Sequence, residues 1–552
     1  MPDELKGVIG SPGVAAGSVK RMGAPPGELG PPGSIDDPAA EIERARAALA
    51  EVASHLDLHA RRAHGEAVDV LEAEALMARD PVLDERIDVA IASGLPAPHA
   101  IHDAMGEFRS LLVEAGGYLA ERAADLDDIR NRAVAHLLGM SMPGVPDSPD
   151  PFVLVATDLA PADTVGLDQT AVVALVTSRG GPTSHTAIIA HSLGLPAIVA
   201  CPGAEELLDD QVVVVDADRG VVIVDPDDAT LAEVEQRRAQ RLEIERTSRG
   251  PGQTSDGHPV SLLLNIGESA EVAEAPGDGE GVGLLRTEFL FLGRENEPTV
   301  SEQAEAYRGI LRSFEGRKVV VRTLDAGADK PLPWLGLSIE ENPALGLRGL
   351  RTSRTRPDVL DGQLEAISRA AKDAAAEVWV MAPMVATATE AADFVERVYD
   401  HGLERAGVMV EIPALAVCAR EVAAVVDFFS IGTNDLTQYL FATDRMVGEL
   451  GDLLDHWHPA LTRLIATVAE AGIDAKTPVG VCGESASDPL FALVLVGLGV
   501  TSLSMSASSL AYVRATLHNH SIDRCRSLAK RALQSVDGRA ARAAVAAEAN
   551  LP

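Results

Sequence analysis

The chain has 552 residues, 46% of them hydrophobic and 24% charged, with a formal net charge of −36, enough length for roughly three domains with apolar cores of their own. The charge argues against nucleic-acid binding, which demands clustered Lys and Arg; acidity of this size serves solubility and also suits a basic protein partner. Aromatic residues make up only 3%, so Ala, Val and Leu must fill the cores.

No apolar run approaches ~18 residues, and the amino-terminal segment has no basic stretch leading into an apolar core. The four cysteines, Cys201, Cys418, Cys482 and Cys525, show neither metal-ligand spacing nor a disulfide framework. No direct membrane insertion and a cytoplasmic location are therefore expected.

Residues 6–20 read as strand, turn, strand: Val8-Ile9, then Gly10-Ser11-Pro12-Gly13, then Val14-Ala15-Ala16. A Pro/Gly-rich link follows, and from Pro38 to Gly139 the period becomes helical. Ile42, Ala45, Leu49, Val52, Ala53 and Leu56 recur at spacings of three and four, the mark of an amphipathic helix. Further helical runs cover 67–78, 81–92, 97–115 and 118–138, with breaks at Arg79-Asp80-Pro81 and Ser93-Gly94-Leu95-Pro96. Acidic residues of this insert (Glu72, Glu74, Asp80, Asp84, Glu85) form solvated faces that a basic partner could meet. Strand patterns resume at Phe152–Ala156, Ala171–Val176, Ala197–Ala200, Val212–Asp216 and Val221–Val224, predicting one small β/α domain interrupted by a helical bundle.

Inside that domain, Gly180-Gly181-Pro182 ends an apolar run, and Ser184 is placed to cap a helix whose Ile188, Ile189 and Leu193 face inward. His185 then falls in the first turn, where the positive helix end disfavours an imidazolium and favours an anion. This setting suits a histidine that attacks phosphorus as a neutral nucleophile and then carries the phosphoryl group.

Residues 227–249 are charged and helical and end at Ser248-Arg249-Gly250-Pro251-Gly252, a plausible hinge. Beyond it, short apolar runs alternate with helical stretches: Ser261–Asn265, Gly281–Arg286, Val319–Arg322, Val378–Pro383, Gly407–Glu411, Phe428–Gly432, Val479–Cys482 and Ser502–Met505. They predict a (β/α)₈ barrel. Nearly every run ends at a polar or reactive residue (Asn265, Arg286, Arg322, Glu411, Asn434, Asp435, Cys482), and such barrels build their sites where strands end. From Ser527 the Ala- and Arg-rich remainder reads as a final helix fraying into a tail.

Two motifs carry a family resemblance. Gly180-Gly-Pro-Thr-Ser-His-Thr-Ala-Ile-Ile-Ala-His-Ser-Leu-Gly-Leu-Pro-Ala-Ile-Val199 resembles the phosphohistidine segment of the PEP-utilising enzymes: Enzyme I of the bacterial phosphotransferase system, pyruvate phosphate dikinase and phosphoenolpyruvate synthase. Asp427-Phe-Phe-Ser-Ile-Gly-Thr-Asn-Asp-Leu-Thr-Gln-Tyr-Leu-Phe-Ala-Thr-Asp-Arg445 matches the phosphoenolpyruvate-utilising signature.

The resemblance to Enzyme I implies a phosphohistidine β/α domain (1–37 and 140–226), a helical bundle that binds the carrier protein HPr (38–139), a linker helix and hinge (227–252), and a phosphoenolpyruvate-binding barrel that also dimerises (253–552). It implies phosphoryl transfer from phosphoenolpyruvate to His185 and then to a histidine of HPr, releasing pyruvate, as the first step of sugar uptake. Thr164 corresponds to the hydroxyl that orients the active imidazole. Arg286, Arg322, Arg348 and Arg445 would surround the phosphate and carboxylate, Asn434 would hydrogen-bond the substrate, Glu411 and Asp435 would hold Mg²⁺, and Cys482 would protonate the enolate carbon.

Pyruvate phosphate dikinase and phosphoenolpyruvate synthase share both motifs but need an ATP-binding domain, and this chain has no glycine-rich nucleotide loop. The nitrogen-branch Enzyme I adds an amino-terminal sensory domain, whereas this chain opens on the GSPGVAAG strand. A non-catalytic regulatory phosphohistidine protein with a decayed barrel is disfavoured by the retained arginines, carboxylates and cysteine.

Overall fold

The structure is a computed structural model. It describes residues 3–551 apart from 24, 28, 61–73, 116–122, 141, 142, 147, 160–166, 168–170, 182–184, 268–278, 293, 295, 328–331, 339, 446 and 550. The chain divides into two compact units, Met1–Arg238 and Ala239–Pro552.

Among the described residues of the first unit, strands β1 (Glu4–Lys6), β2 (Val8–Ser11), β3 (Val14–Arg21), β4 (Phe152–Ala156), β5 (Val172–Thr177), β6 (Ala197–Val199), β7 (Val212–Asp216) and β8 (Val221–Val224) form one sheet. Its order is β1-β8-β7-β3-β4-β5-β6-β2. β4 is buried along its whole length. Val153 and Val155 join one core while Phe152, Leu154 and Ala156 join another, the two-residue alternation of a strand covered on both faces. The edge strand β1, which the sequence pattern did not announce, pairs antiparallel with β8.

Between β3 and β4 lie the helices α1 (Pro38–Ala60), α2 (Pro81–Ala92), α3 (Ala97–Ala115) and α4 (Ala123–Leu137). Asp37 accepts from the amides of Ala39 and Ala40, capping α1. The stripe Ala45, Leu49, Val52, Ala53 and Leu56 is buried, with Ile42 at its margin. The break at Arg79-Asp80-Pro81 is the start of α2: Asp80 accepts from Val82 N, and Pro81 occupies the first helical position, where its missing N–H costs nothing. Of the helical run expected over 67–78, residues 67–73 lie outside the described residues.

Helix α5 (His185–Ser192) follows β5. Its closest packing is through Thr186, Ala187 and Ala190. Ile189 and Leu193, expected to face inward, pack partly buried against the core, and the side chain of Ile188 lies outside the described residues; short side chains let α5 approach β2, where a Cβ on Gly10 would lie 3.3 Å from that of Ala187. Helix α6 (Asp228–Thr247) carries the charged run. Arg237 on α6 bridges Asp216 and Asp218 at 2.9 and 2.6 Å.

Among the described residues of the second unit, eight parallel strands close into a barrel. They are β9 (Ser261–Ile266), β10 (Gly281–Leu285), β11 (Lys318–Arg322), β12 (Glu377–Ala382), β13 (Ala406–Val410), β14 (Phe428–Ile431), β15 (Val479–Val481) and β16 (Ser502–Met505). Each coincides within a residue or two with an expected apolar run, and β16 pairs back to β9 to complete the ring. Helices such as Val300–Ser313 and Pro459–Ala475 cover the outside with amphipathic stripes.

The carboxyl-terminal segment is not a fraying tail. Helices Ile522–Gln534 and Gly538–Ala546 dock on the barrel's outer layer and bury Cys525, Leu528, Ala529, Ala532, Ala541 and Val545. A Cβ on Gly497 would lie 2.1 Å from the Cys525 carbonyl, so a glycine there permits the contact. Cys525 is therefore buried in a helix, and Cys418 is exposed between two helical turns.

Candidate active site

In the first unit, His185 is the first residue of α5, with its amide at the positive end of the helix; its side chain lies outside the described residues, as does all of Thr164. The adjoining Thr186 is fully buried. Its hydroxyl donates to Asp158 Oδ1 at 3.0 Å, and the same oxygen accepts from Leu159 N at 2.9 Å. This ties the first turn of α5 to the loop after β4.

In the second unit, charged groups gather where the barrel strands end. Arg322 is the last residue of β11, 7% exposed. Its Nη2 donates to Glu288 Oε1 at 2.9 Å and its Nη1 meets Asp325 Oδ2 at 3.1 Å, while Nε has no hydrogen-bond partner. Arg348, 1% exposed, forks onto both oxygens of Asp325 at 3.1 Å and reaches Asp435 Oδ1 and the Tyr439 hydroxyl at 3.3 Å each. Asp435 Oδ2 faces Arg445 at 3.8 Å. Arg286 follows β10 and is exposed.

Glu411 comes one residue after β13 and is fully buried. Oε1 accepts from the Met384 amide, which a left-handed backbone at Met384 (φ 59°) presents to it. Oε2 has no hydrogen-bond partner. Burial pushes this carboxyl up to about 8, with help from the neighbouring Asp325 and Asp435 charges and against Arg322 and Arg348.

Asn434 and Asp435 belong to the first turn of helix Thr433–Phe441, whose positive end favours a carboxylate. Cys482 comes one residue after β15: its amide donates to Ile431 O at 3.0 Å and its Sγ to the same oxygen at 3.6 Å. The thiol is pushed up to about 11 by burial and so stays protonated near neutrality.

The barrel thus brings Arg322, Arg348, Glu411, Asp435 and Arg445 into one connected cluster, with Asn434 on the same helical turn as Asp435. Arg286 and Cys482 share its field: both Arg322 and Arg286 act on the Cys482 thiol. Two members escaped the sequence reading, Glu288 and Asp325. Each lies two or three residues beyond an arginine that was singled out, and that spacing was the available signal.

Arg322 and Arg348 are already paired with Glu288, Asp325 and Asp435. An oxygen of Glu411 that is buried without a partner, within the field of Asp435 and Asp325, suits a divalent cation. Among the described residues there is no group of three or more His, Cys, Asp or Glu that could hold a metal ion.

The chain matches the PEP-binding domain of PEP-utilising enzymes over residues 241–522, the mobile domain of these enzymes over 148–220 and their N-terminal domain over 6–122. It belongs to the PEP-utilising enzyme family. Within the family, the chain is 50% identical to the phosphoenolpyruvate-protein phosphotransferase of Streptomyces coelicolor, over 99% of each chain. Proteins of the same name from Haloferax volcanii and Staphylococcus carnosus are 41% and 36% identical, over 90% and 97% of each chain. Among the described residues no helix is long and apolar enough to cross a membrane.

Proposed function

We propose that the chain is a phosphoenolpyruvate-protein phosphotransferase of the sugar phosphotransferase system: it moves the phosphoryl group of phosphoenolpyruvate to His185, releases pyruvate, and passes the group to a histidine of the carrier HPr. The observation that carries this reading is the barrel-mouth cluster of Arg322, Arg348, Glu411 and Asp435 in a chain 50% identical to a curated enzyme of that name over its whole length.

Phosphoenolpyruvate has a phosphate and a carboxylate, and guanidinium forks match both. Arg286, Arg322, Arg348 and Arg445 bind these groups, and Asn434 donates a hydrogen bond. Glu411 and Asp435 hold Mg²⁺, which neutralises charge on the transferring group; positioning and charge neutralisation supply most of the catalysis in such transfers. His185 attacks phosphorus as a neutral imidazole, with Thr164 fixing the tautomer that presents the reactive nitrogen. As the P–O bond breaks, the enolate forms, and the Cys482 thiol gives its proton to the methylene carbon.

HPr docks on the helical insert 38–139, which lies between two parts of a phosphohistidine domain (1–37 and 140–226). Residues 227–252 are the pivot that lets His185 serve both the barrel (253–552) and the carrier. The barrel also carries the homodimer contact, and the enzyme works in the cytoplasm.

The test is labelled phosphoenolpyruvate with Mg²⁺, followed by purified HPr. Acid-labile, base-stable label should appear on the chain, vanish with His185→Ala and pass to HPr. A chain that takes up no label would defeat the proposal.

A further inference from the structure

The interior of a (β/α)₈ barrel is ordinarily packed with Val, Ile and Leu, and part of this one is not. Strands β9, β10, β11, β12, β14, β15 and β16 line a partly open cavity of about 20 Å³ where Ser430, Ser502, Ser504, Gly283, Gly480 and Lys318 stand beside apolar side chains such as Val320 and Phe428. That volume holds one water molecule, and the three hydroxyls supply the two to four polar partners a buried water needs.

The glycines keep the hydroxyls on the cavity. A Cβ at Gly283 would sit 2.5 Å from Ser504 Oγ, and one at Gly480 would sit 2.6 Å from Ser502 Oγ. Ser504 also donates to Asn265 Oδ1 at 2.7 Å, and Asn265 Nδ2 holds the Cys482 carbonyl at 3.1 Å.

Ser430 joins this cavity to the proposed chemistry. It lies on β14, 5% exposed, lines the cavity and stands opposite Gly480 on β15, two residues before Cys482, so that both side chains face the same way and its hydroxyl acts on the thiol. Once Cys482 has given up its proton, the sulfur is a buried thiolate facing the Ile431 carbonyl that its S–H had contacted at 3.6 Å. That arrangement is unfavourable until the sulfur is protonated again.

We propose that Ser430 is a positioning and relay residue that reprotonates Cys482 from inside the barrel, through the cavity water. This inference rests on the assignment of Cys482 as the proton donor. In the chemical step the S–H bond breaks, a C–H bond forms at the enolate methylene, and sulfur keeps the electron pair. The Ser430 O–H proton then moves to sulfur as the oxygen takes a proton from the cavity water. Lys318, half-buried at the start of β11 with its ammonium 4.7 Å from the Trp379 ring centroid, supplies that water and is recharged from solvent. Burial lowers its pKa, which favours release. One solvent proton is consumed per pyruvate.

The experiment is rapid-quench measurement of pyruvate from the full chain with phosphoenolpyruvate, Mg²⁺ and excess HPr, with ultraviolet absorbance reporting thiolate. Ser430→Ala is expected to retain the first-turnover burst, to slow later turnovers by at least about tenfold and to accumulate thiolate after the burst. Ser430→Thr, which keeps the hydroxyl, is expected to restore later turnovers. The relay is overturned if Ser430→Ala turns over like the parent, if it loses the burst along with later turnovers, if no thiolate accumulates, or if Ser430→Thr fails to restore the rate. Cys482→Ala in the same assay separates the two ideas. Unchanged pyruvate formation defeats the assignment of Cys482 itself, whereas impaired formation beside an unaffected Ser430→Ala defeats only the relay.

Discussion

Replacing Glu411 by glutamine tests the electrostatic reasoning at the barrel mouth. Burial raises this carboxyl from an ordinary 4.5 to about 8. Each tenfold change in proton affinity is worth ~1.4 kcal/mol, so ionising Glu411 with no cation beside it costs about 4–5 kcal/mol. The folded chain therefore binds more protons than the unfolded chain between pH 4.5 and 8. Stability contributed by the neutral carboxyl is complete below about 4.5 and is lost as pH rises towards 8. Glu411→Gln keeps the shape and removes the titration. Its barrel should lose less stability between pH 5 and 8 than the parent's, by up to about 4 kcal/mol. Mg²⁺ should reverse the parent's loss, increasingly so at higher pH because it competes with the proton, and should do little for the variant. Phosphoryl transfer should fall by at least about a hundredfold, since a polarising cation is worth several kcal/mol. The assay is denaturant unfolding followed at the barrel transition, in EDTA and in Mg²⁺, at pH 5, 6.5 and 8. Equal pH slopes for parent and variant in EDTA would refute the reasoning.

Arg348→Met should destabilise the barrel by about 1–3 kcal/mol, because it removes a buried partner from Asp325 and Asp435 and leaves them Arg322 and the more distant Arg445; no measurable loss would mean that those two arginines or water replace it. Gly483→Ala would place a Cβ 1.9 Å from Thr433 Oγ1 and push back the helix start that carries Asn434 and Asp435. It should cost about 1–3 kcal/mol and raise the KM for phosphoenolpyruvate, and an unchanged KM would contradict the placement. At pH 8 iodoacetamide should label Cys418, which is exposed, well before Cys201 and Cys482, whose thiols burial pushes up to about 11, and Cys525, pushed up to about 12. Peptide mass spectrometry reads the order, and early labelling of Cys482 would contradict its burial.

The barrel was legible because each strand is a short apolar run between turn signals, and because Arg322, Glu411 and Cys482 mark strand ends. Helix α1 was legible from a period that tertiary packing obeyed from Ala45 to Leu56. Glu288 and Asp325 were not: two acids in a chain with 83 read as surface until the closed barrel buries them against Arg322 and Arg348. The carboxyl-terminal helices were missed for the converse reason. Their apolar faces are built from alanine and a few larger residues, too faint a stripe to read without the Gly497 surface that receives them. On α5 Ile189 and Leu193 pack against the core as their spacing announced, while the deepest burial falls to Thr186, Ala187 and Ala190, whose short side chains the apolar pattern did not single out.

The guanidinium groups of Arg322 and Arg348 are already occupied by Asp325, Glu288 and Asp435. Binding in the proposed reaction is therefore an exchange of partners and not the filling of a bare positive pocket. A trianion with two anionic ends can win that exchange, while a monoanion offers too little. In that reaction, once phosphorus had left and pyruvate remained, the resident acids would reclaim their arginines and favour release of the product.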